Sequence, residues 1–191
     1  SRGLGDVYKR QHALGIGDRQ ERGMNRFAHV GMTTRVIGGH WVWSPRMQQM
    51  ARDNEIEAYV LPGGVIMQLM REVAAGRPGL ITHVGLGTFV DPRLDGGRMN
   101  EAAKQTLTEI ITIDGRDYLR YLPIPVTVAL LRGSYADEDG NISLEEEPAN
   151  LDIYAIAAAA HNSGGKVIFQ VRGKVPRHSI CLLYTSDAAD D

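Results

Sequence analysis

GGHWVWSPR (Gly38–Arg46), LPGGV (Leu61–Val65) and GLGTFVDPR (Gly85–Arg93) share one construction that decides the fold. In each, a short apolar run gives way to glycine, proline and polar residues. Open α/β sheets present loops of this kind at one edge, and they bind their ligands there.

Working outward from these stretches, Arg35–Gly38 reads as a short strand ending in Gly38-Gly39. Ser44 is placed to cap a helix and Pro45 to begin its first turn. Met47, Met50 and Ala51 then follow at i, i+3, i+4, predicting a short amphipathic helix over Pro45–Asp53. Ala58–Leu61 is the next strand, stopped by Pro62-Gly63-Gly64. Val65–Ala75 follows as a helix with Ile66, Leu69, Met70 and Val73 on one face and Gly76 as its stop. Strand, short loop, helix, repeated, is the arithmetic of a parallel sheet.

Leu80–Val84 continues as a strand, and Asp91–Asn100 is a loop too particular for a plain connector. Ile110–Ile113, Asp114-Gly115 and Tyr118–Tyr121 predict a β-hairpin, because Asp-Gly favours the tightest hairpin turn. Val126–Leu131 is largely apolar, as in a strand covered on both faces, and Val167–Val171 reads as a final buried strand. Between them lie a polar turn, Asp137–Asn141, and an alanine-rich helix, Leu151–His161, ended by Gly164-Gly165. The expected fold class is therefore α/β: a mostly parallel sheet flanked by helices, with a β-hairpin excursion.

The ends are set aside from this reading. SRGLGDVYKRQ (residues 1–11) and CLLYTSDAADD (residues 181–191) resemble in-frame translations of sequencing-library adapters, with natural polar tails as the alternative. Residues 12–180 are then expected to be part of one domain. The single cysteine, Cys181, falls in the second end segment, so disulfides and thiolate metal sites are not expected. With 21 Lys+Arg against 23 Asp+Glu, the chain lacks the one-sided charge of a nucleic-acid or membrane-surface binder. No apolar run approaches the ~20 residues of a membrane helix.

Several residues carry chemistry, and each has a plainer reading. Gly63, Gly64 and Val65 sit where backbone N–H groups at a helix start can meet an anion or oxyanion, or where glycine simply serves a tight turn. His40, after Gly38 and Gly39, can act as a general acid or base, or as a packed structural residue. Trp41 and Trp43 alternate, so one is expected in the core and the other facing a pocket or partner. Asp91 and Arg93 can clamp a substrate or brace their own loop. Glu145-Glu146-Glu147 reads as a solvated loop. The six scattered histidines suggest no metal site.

Five segments together resemble the family I CoA-transferases: GIGDRQERG (Gly15–Gly23), GGHWVWSPRM, LPGGVIMQL, the stretch GLGTFVDPR-LDGGRMN, and AAHNSGGKVIFQV (Ala159–Val171). The subgroup is the acetate/propionate, short-chain acyl type with both halves fused, and the likeness covers most of the first, α-type half. The resemblance implies a CoA-transferase-like or phosphosugar isomerase-like fold. It also implies exchange of CoA between carboxylates through a glutamyl-CoA thioester, with CoA as substrate and no metal or redox cofactor. The nucleophilic glutamate belongs to the family's second half. Glu72, Glu101 and Glu147 do not sit in its motif, so no catalytic residue is expected here and the piece alone should be inactive. In relatives the turn matching Pro62–Val65 commonly reads Pro-Gln-Gly, its glutamine helping to form the oxyanion hole; here that position is Gly63. The implied partners are acyl-CoA, small carboxylates, a β-type half on the same chain or another, and further copies in a homo-oligomer, in the cytoplasm. A phosphosugar isomerase, which needs a convergent phosphate cradle not evident in the sequence, and an effector-sensing domain are the alternatives.

Overall fold

The computed structural model describes residues 10–15, 19, 20 and 22–180. The expected adapter-derived ends lie outside the described residues, apart from Arg10 and Gln11. So do residues 16–18 and 21 of the Gly15–Gly23 motif. The chain divides into two compact units, one ending at Pro125 and one beginning at Val126.

The first unit is built on three parallel strands, β1 (Arg10–Gly15), β2 (Arg35–His40) and β3 (Glu57–Val60), in the order β1-β2-β3. Helix α1 (Pro45–Arg52) joins β2 to β3, as the alternation of strand and helix requires. Its buried Met47, Met50 and Ala51 meet Val36, Ala58 and Trp41 in the core. Pro45 occupies the first helical turn, but Ser44 does not cap it through its side chain. Ser44 is buried and its hydroxyl instead donates to Asn25 Oδ1, tying the helix start to a 3₁₀ turn over Gly23–Phe27.

Helix α2 (Gly63–Ala74) buries the expected face, Ile66, Leu69, Met70 and Val73, and lies against β1, β2 and β4 (Leu80–Thr82). Strands β5 (Thr108–Ile113) and β6 (Arg116–Tyr121) form the hairpin, with β4 pairing on the far side of β6. Asp114 and Gly115 both have positive φ, 51° and 75°, the signature of the turn that matches strand twist.

Residues 85–100 are fastened along β3. Val60 N–H donates to Gly97 O (2.8 Å) and Met99 N–H to Ala58 O (2.9 Å). Asn100 secures the end: its Nδ2 donates to Ala51 O (2.7 Å) and Ile56 O (2.8 Å), and its Oδ1 accepts from Ala58 N–H and Ala103 N–H, each at 3.2 Å.

In the second unit, β7 (Val128–Arg132) pairs in parallel with β9 (Lys166–Gln170), and α3 (Ile153–Asn162) packs against both. The short strands β8 (Tyr135–Ala136) and β10 (Gly173–Lys174) also pair in parallel. Asp137 closes the polar turn by accepting from Asp139 N–H and from both the main-chain and side-chain nitrogens of Asn141. Two expectations change here. Strands β7 and β9 are not covered on both faces: the register partners Leu130 and Ile168 are 58% and 50% exposed. Apolar composition reports what a strand can bury, whereas burial needs a second layer, and within this unit the layer packed on the pair is α3. The glutamate run is also more than a solvated loop, because Glu146 accepts from Tyr135 Oη and pairs with Arg172, while Glu147 pairs with Arg132.

The fourfold use of Asn100 generates a prediction. Asn100→Ala should lower the unfolding free energy by roughly 2–4 kcal/mol, since several main-chain groups lose their partners together. Urea denaturation of the two proteins checks this, and a loss below about 1 kcal/mol contradicts it.

Candidate functional site

Parallel pairing brings the carboxyl ends of β1, β2 and β3 to one edge, which is where open α/β sheets bind ligands. In register, Gly38 lies beside Val60, so Gly39-His40 and Leu61-Pro62 leave the sheet side by side. Leu61 N–H donates to Gly38 O at 3.1 Å, holding the two exits together.

At the second exit, Gly63 and Gly64 are the first two residues of α2. Val65 N–H already bonds to Pro62 O (2.9 Å), as does Ile66 N–H (3.1 Å), and the Val65 side chain is buried in the core. The Gly63 and Gly64 N–H groups have no acceptor among the described residues. They lie at the positive end of the helix dipole. A β-carbon built on Gly64 meets nothing within 4 Å, so this turn faces open space.

At the first exit, Gly38 is buried, Gly39 half-buried and His40 exposed. The His40 ring meets Trp43 edge-on, with centroids 5.1 Å apart and planes at 83°. Trp41 is buried and donates through Nε1 to Tyr59 O (3.3 Å), whereas Trp43 is 46% exposed. The alternating tryptophans thus divide as their spacing predicts, one to the core and one to the edge.

The loop over Gly85–Arg93 belongs to the scaffold. Asp91 is almost wholly buried. Its Oδ2 accepts from Gly87 N–H (2.8 Å) and Arg93 Nη2 (2.7 Å), and its Oδ1 from Arg93 N–H (3.0 Å) and Nε (2.9 Å). With both oxygens committed, the Asp91–Arg93 pair braces its own loop. The Arg93 guanidinium, then the backbone donors, hold the Asp91 carboxyl well below the usual carboxylate range. Burial, followed by the Asp91 charge, pushes the Tyr121 phenol up to about 12, and it donates to Val84 O at 2.9 Å. Gly85, at φ 102°, lies so close beneath this phenol that a β-carbon would sit 2.5 Å from Val90 Cγ2 and 2.9 Å from Leu119 Cδ1.

A feature not foreseen in the sequence lies beside the first exit. Arg19, Gln20, Asn25, Arg26, His29, Pro45 and Arg46 line a cleft of about 370 Å³. Its residues come from three separate segments, so neither spacing nor periodicity announces it. Among the described residues no cluster of His, Cys, Asp and Glu could hold a metal ion, and no helix is long and apolar enough to cross a membrane.

With this geometry in place, comparison with known proteins is informative. The coenzyme A transferase family matches residues 11–169. The chain is 46% identical over 165 residues to the caffeate CoA-transferase of Acetobacterium woodii, covering 86% of this chain and 32% of that protein. It is 40% identical over 166 residues to the acetate CoA-transferase YdiF of Escherichia coli K12, covering 87% and 31%. The crystal structure of the YdiF apoenzyme from Escherichia coli O157:H7 superposes with a TM-score of 0.86 at 37% identity, over 93% of this chain and 36% of that one. The chain thus spans about a third of the length of the curated relatives it matches.

The buried Asp91 sets a pH prediction. Because its folded pKa is depressed, its contribution is complete above the ordinary carboxylate value near about 4 and is lost as pH falls through the lower folded value. Asp91→Asn should therefore be less stable than the parent at neutral pH, with the difference shrinking steadily below about pH 4. Urea midpoints measured across this range check it; two curves that stay parallel into acid contradict it.

Proposed function

The chain belongs to the coenzyme A transferase family, as part of its α-type half, and from that premise we propose that it forms one wall of an acyl-CoA site. The parent enzyme, in this reading, moves CoA from a short-chain acyl-CoA to a carboxylate of the acetate or propionate type. A glutamate carboxylate from the β-type half attacks the thioester carbonyl and expels the CoA thiolate, leaving an acyl-glutamyl anhydride. The thiolate then attacks the glutamyl carbonyl, releasing the first carboxylate and forming the glutamyl-CoA thioester. An incoming carboxylate reverses these two steps and departs as the new acyl-CoA. Splitting the exchange in this way replaces one difficult transfer with easier ones.

What supports a role for this chain is the pair of unengaged N–H groups at Gly63 and Gly64. They stand at the start of α2, on the sheet edge that also carries Gly38, Gly39 and His40. Charge builds on the carbonyl oxygen as the nucleophile attacks, and fixed donors aimed at that oxygen lower the barrier. Gly63 supplies only its amide where relatives place a glutamine side chain, which leaves a larger acyl pocket and rests the oxyanion hole on the backbone. His40, exposed beside Trp43, lines the entrance. Further copies of the parent and a cytoplasmic setting complete the reading.

A chimera tests it: this chain replaces the matching segment of the Escherichia coli acetate CoA-transferase to which it is 40% identical. The chimera should exchange CoA between acetyl-CoA and propionate, while the chain alone should not. Gly63→Pro in the chimera is the sharper probe. Proline is tolerated in the first helical turn, yet it removes the N–H, so kcat should fall roughly 10²–10³-fold with unfolding unchanged. Turnover by the isolated chain, or full activity in Gly63→Pro, contradicts the proposal.

A further inference from the structure

His40 ends β2 with its side chain exposed, so it is not a packed structural residue. Its imidazole makes no hydrogen bond and no ion pair among the described residues. The ring is nonetheless held in place. Trp43 meets it edge-on at 5.1 Å, and the Trp43 carbonyl accepts from Arg19 N–H (2.8 Å) and from Nδ2 of the buried Asn25 (3.3 Å). Ser44, next in the chain, is buried and donates its hydroxyl to Asn25 Oδ1. A ring set by a braced neighbour, with its nitrogens unspent on the fold, is prepared for a ligand.

The chemistry at this edge decides what the ring does there. In the proposed exchange a carboxylate is the nucleophile and a thiolate the leaving group, and neither step takes up or gives up a proton. A general acid or base has no proton to move, so that role falls away. The acid enters as an anion with two oxygens, only one of which attacks. The other needs a donor, and the Gly63 and Gly64 amides serve the oxyanion. An imidazole carries one N–H in either neutral tautomer and two when protonated, so it donates in every form. His40 also leaves the sheet beside the Gly63-Gly64 turn: Gly38 is in register with Val60, and Leu61 N–H donates to Gly38 O at 3.1 Å.

We propose that His40 binds the carboxylate substrate, its ring N–H donating to the oxygen that does not attack. The assignment rests on the transferase reading and deepens it. With that oxygen held, the second oxygen attacks the glutamyl-CoA carbonyl. A C–O bond forms to give the anhydride as the C–S bond breaks, and the thiolate leaves with the electron pair. The edge-on contact with Trp43 limits how the ring can turn and so fixes the direction of its N–H. Acyl-CoA brings no carboxylate, so the enzyme is loaded with CoA without help from the ring.

The test uses the chimera in two stages. Acetyl-CoA first loads it to the glutamyl-CoA form, followed by intact mass; the loaded protein, freed of small molecules, then meets propionate over a range of concentrations. His40→Leu should load like the parent chimera, and its half-saturating propionate concentration should rise roughly tenfold or more, the effect of losing one hydrogen bond to a charged group. His40→Asn and His40→Gln set an amide N–H near the Nδ1 and Nε2 positions, and at least one should return the value to within about threefold of the parent. An unchanged half-saturating concentration in His40→Leu overturns the assignment while the transferase reading stands. Failure of both amide variants to restore it does the same, because the ring would then act by packing on Trp43. If His40→Leu cannot be loaded while the parent chimera can, the ring serves the acyl-CoA instead and the assignment is also overturned. A parent chimera that never acquires CoA overturns the transferase reading, and this assignment with it.

Discussion

The parallel pairing of β2 with β3 is the constraint on which the rest of the first unit depends. Parallel strands place all their carboxyl ends together, and the register then decides which turns become neighbours. That register is pinned at its far end by a cross-strand ion pair between Arg35 and Glu57, with Nε to Oε2 at 2.7 Å and the arginine side chain only 12% exposed. Arg35 also lies over the Tyr59 ring, 5.6 Å from its centroid. The Tyr59 hydroxyl donates to Gln105 O and accepts from Gln105 N–H, each at 3.0 Å. A slip of one residue would break each of these contacts and invert which side chains face the core. The ligand edge is thus positioned by interactions at the opposite end of the same strands.

Around that edge the chain separates two kinds of glycine-rich loop. Residues 85–100 look chemically rich, with Thr88, Asp91 and Arg93, yet their polar groups are spent on one another and on β3. The turn at Pro62-Gly63-Gly64 looks plainer and keeps its donors free. The same contrast distinguishes the arginines: Arg35, Arg120, Arg132 and Arg172 each hold a carboxylate, whereas Arg19, Arg26 and Arg46 hold none among the described residues. In this unit the informative groups for function are those that the fold leaves unsatisfied at an open surface.

Much of this was legible in the sequence. The i, i+3, i+4 spacing of α2 named its buried face, Asp114-Gly115 named the hairpin turn, and strand–helix alternation named the parallel sheet. Each is a local pattern set by backbone geometry. What escaped depended on contacts across the sequence. Ser44 abandons its cap because Asn25, nineteen residues earlier, offers a buried acceptor. The cationic cleft forms because that same asparagine draws separate segments together. Leu130 and Ile168 read as core residues, yet composition cannot say whether a covering layer is present. The resemblance to CoA-transferases reached the family directly, which no periodicity could have done.

The central claim is that the carboxyl edge of β2 and β3 cradles the reacting acyl group. A crystal structure of the chimera with a trapped acyl-CoA thioester tests it most directly. The acyl carbonyl oxygen should lie about 3 Å from the amide nitrogen of Gly63 or Gly64, within hydrogen-bonding reach. An acyl group seated instead over the amino ends of these strands, beside Arg35 and Glu57, would contradict the account.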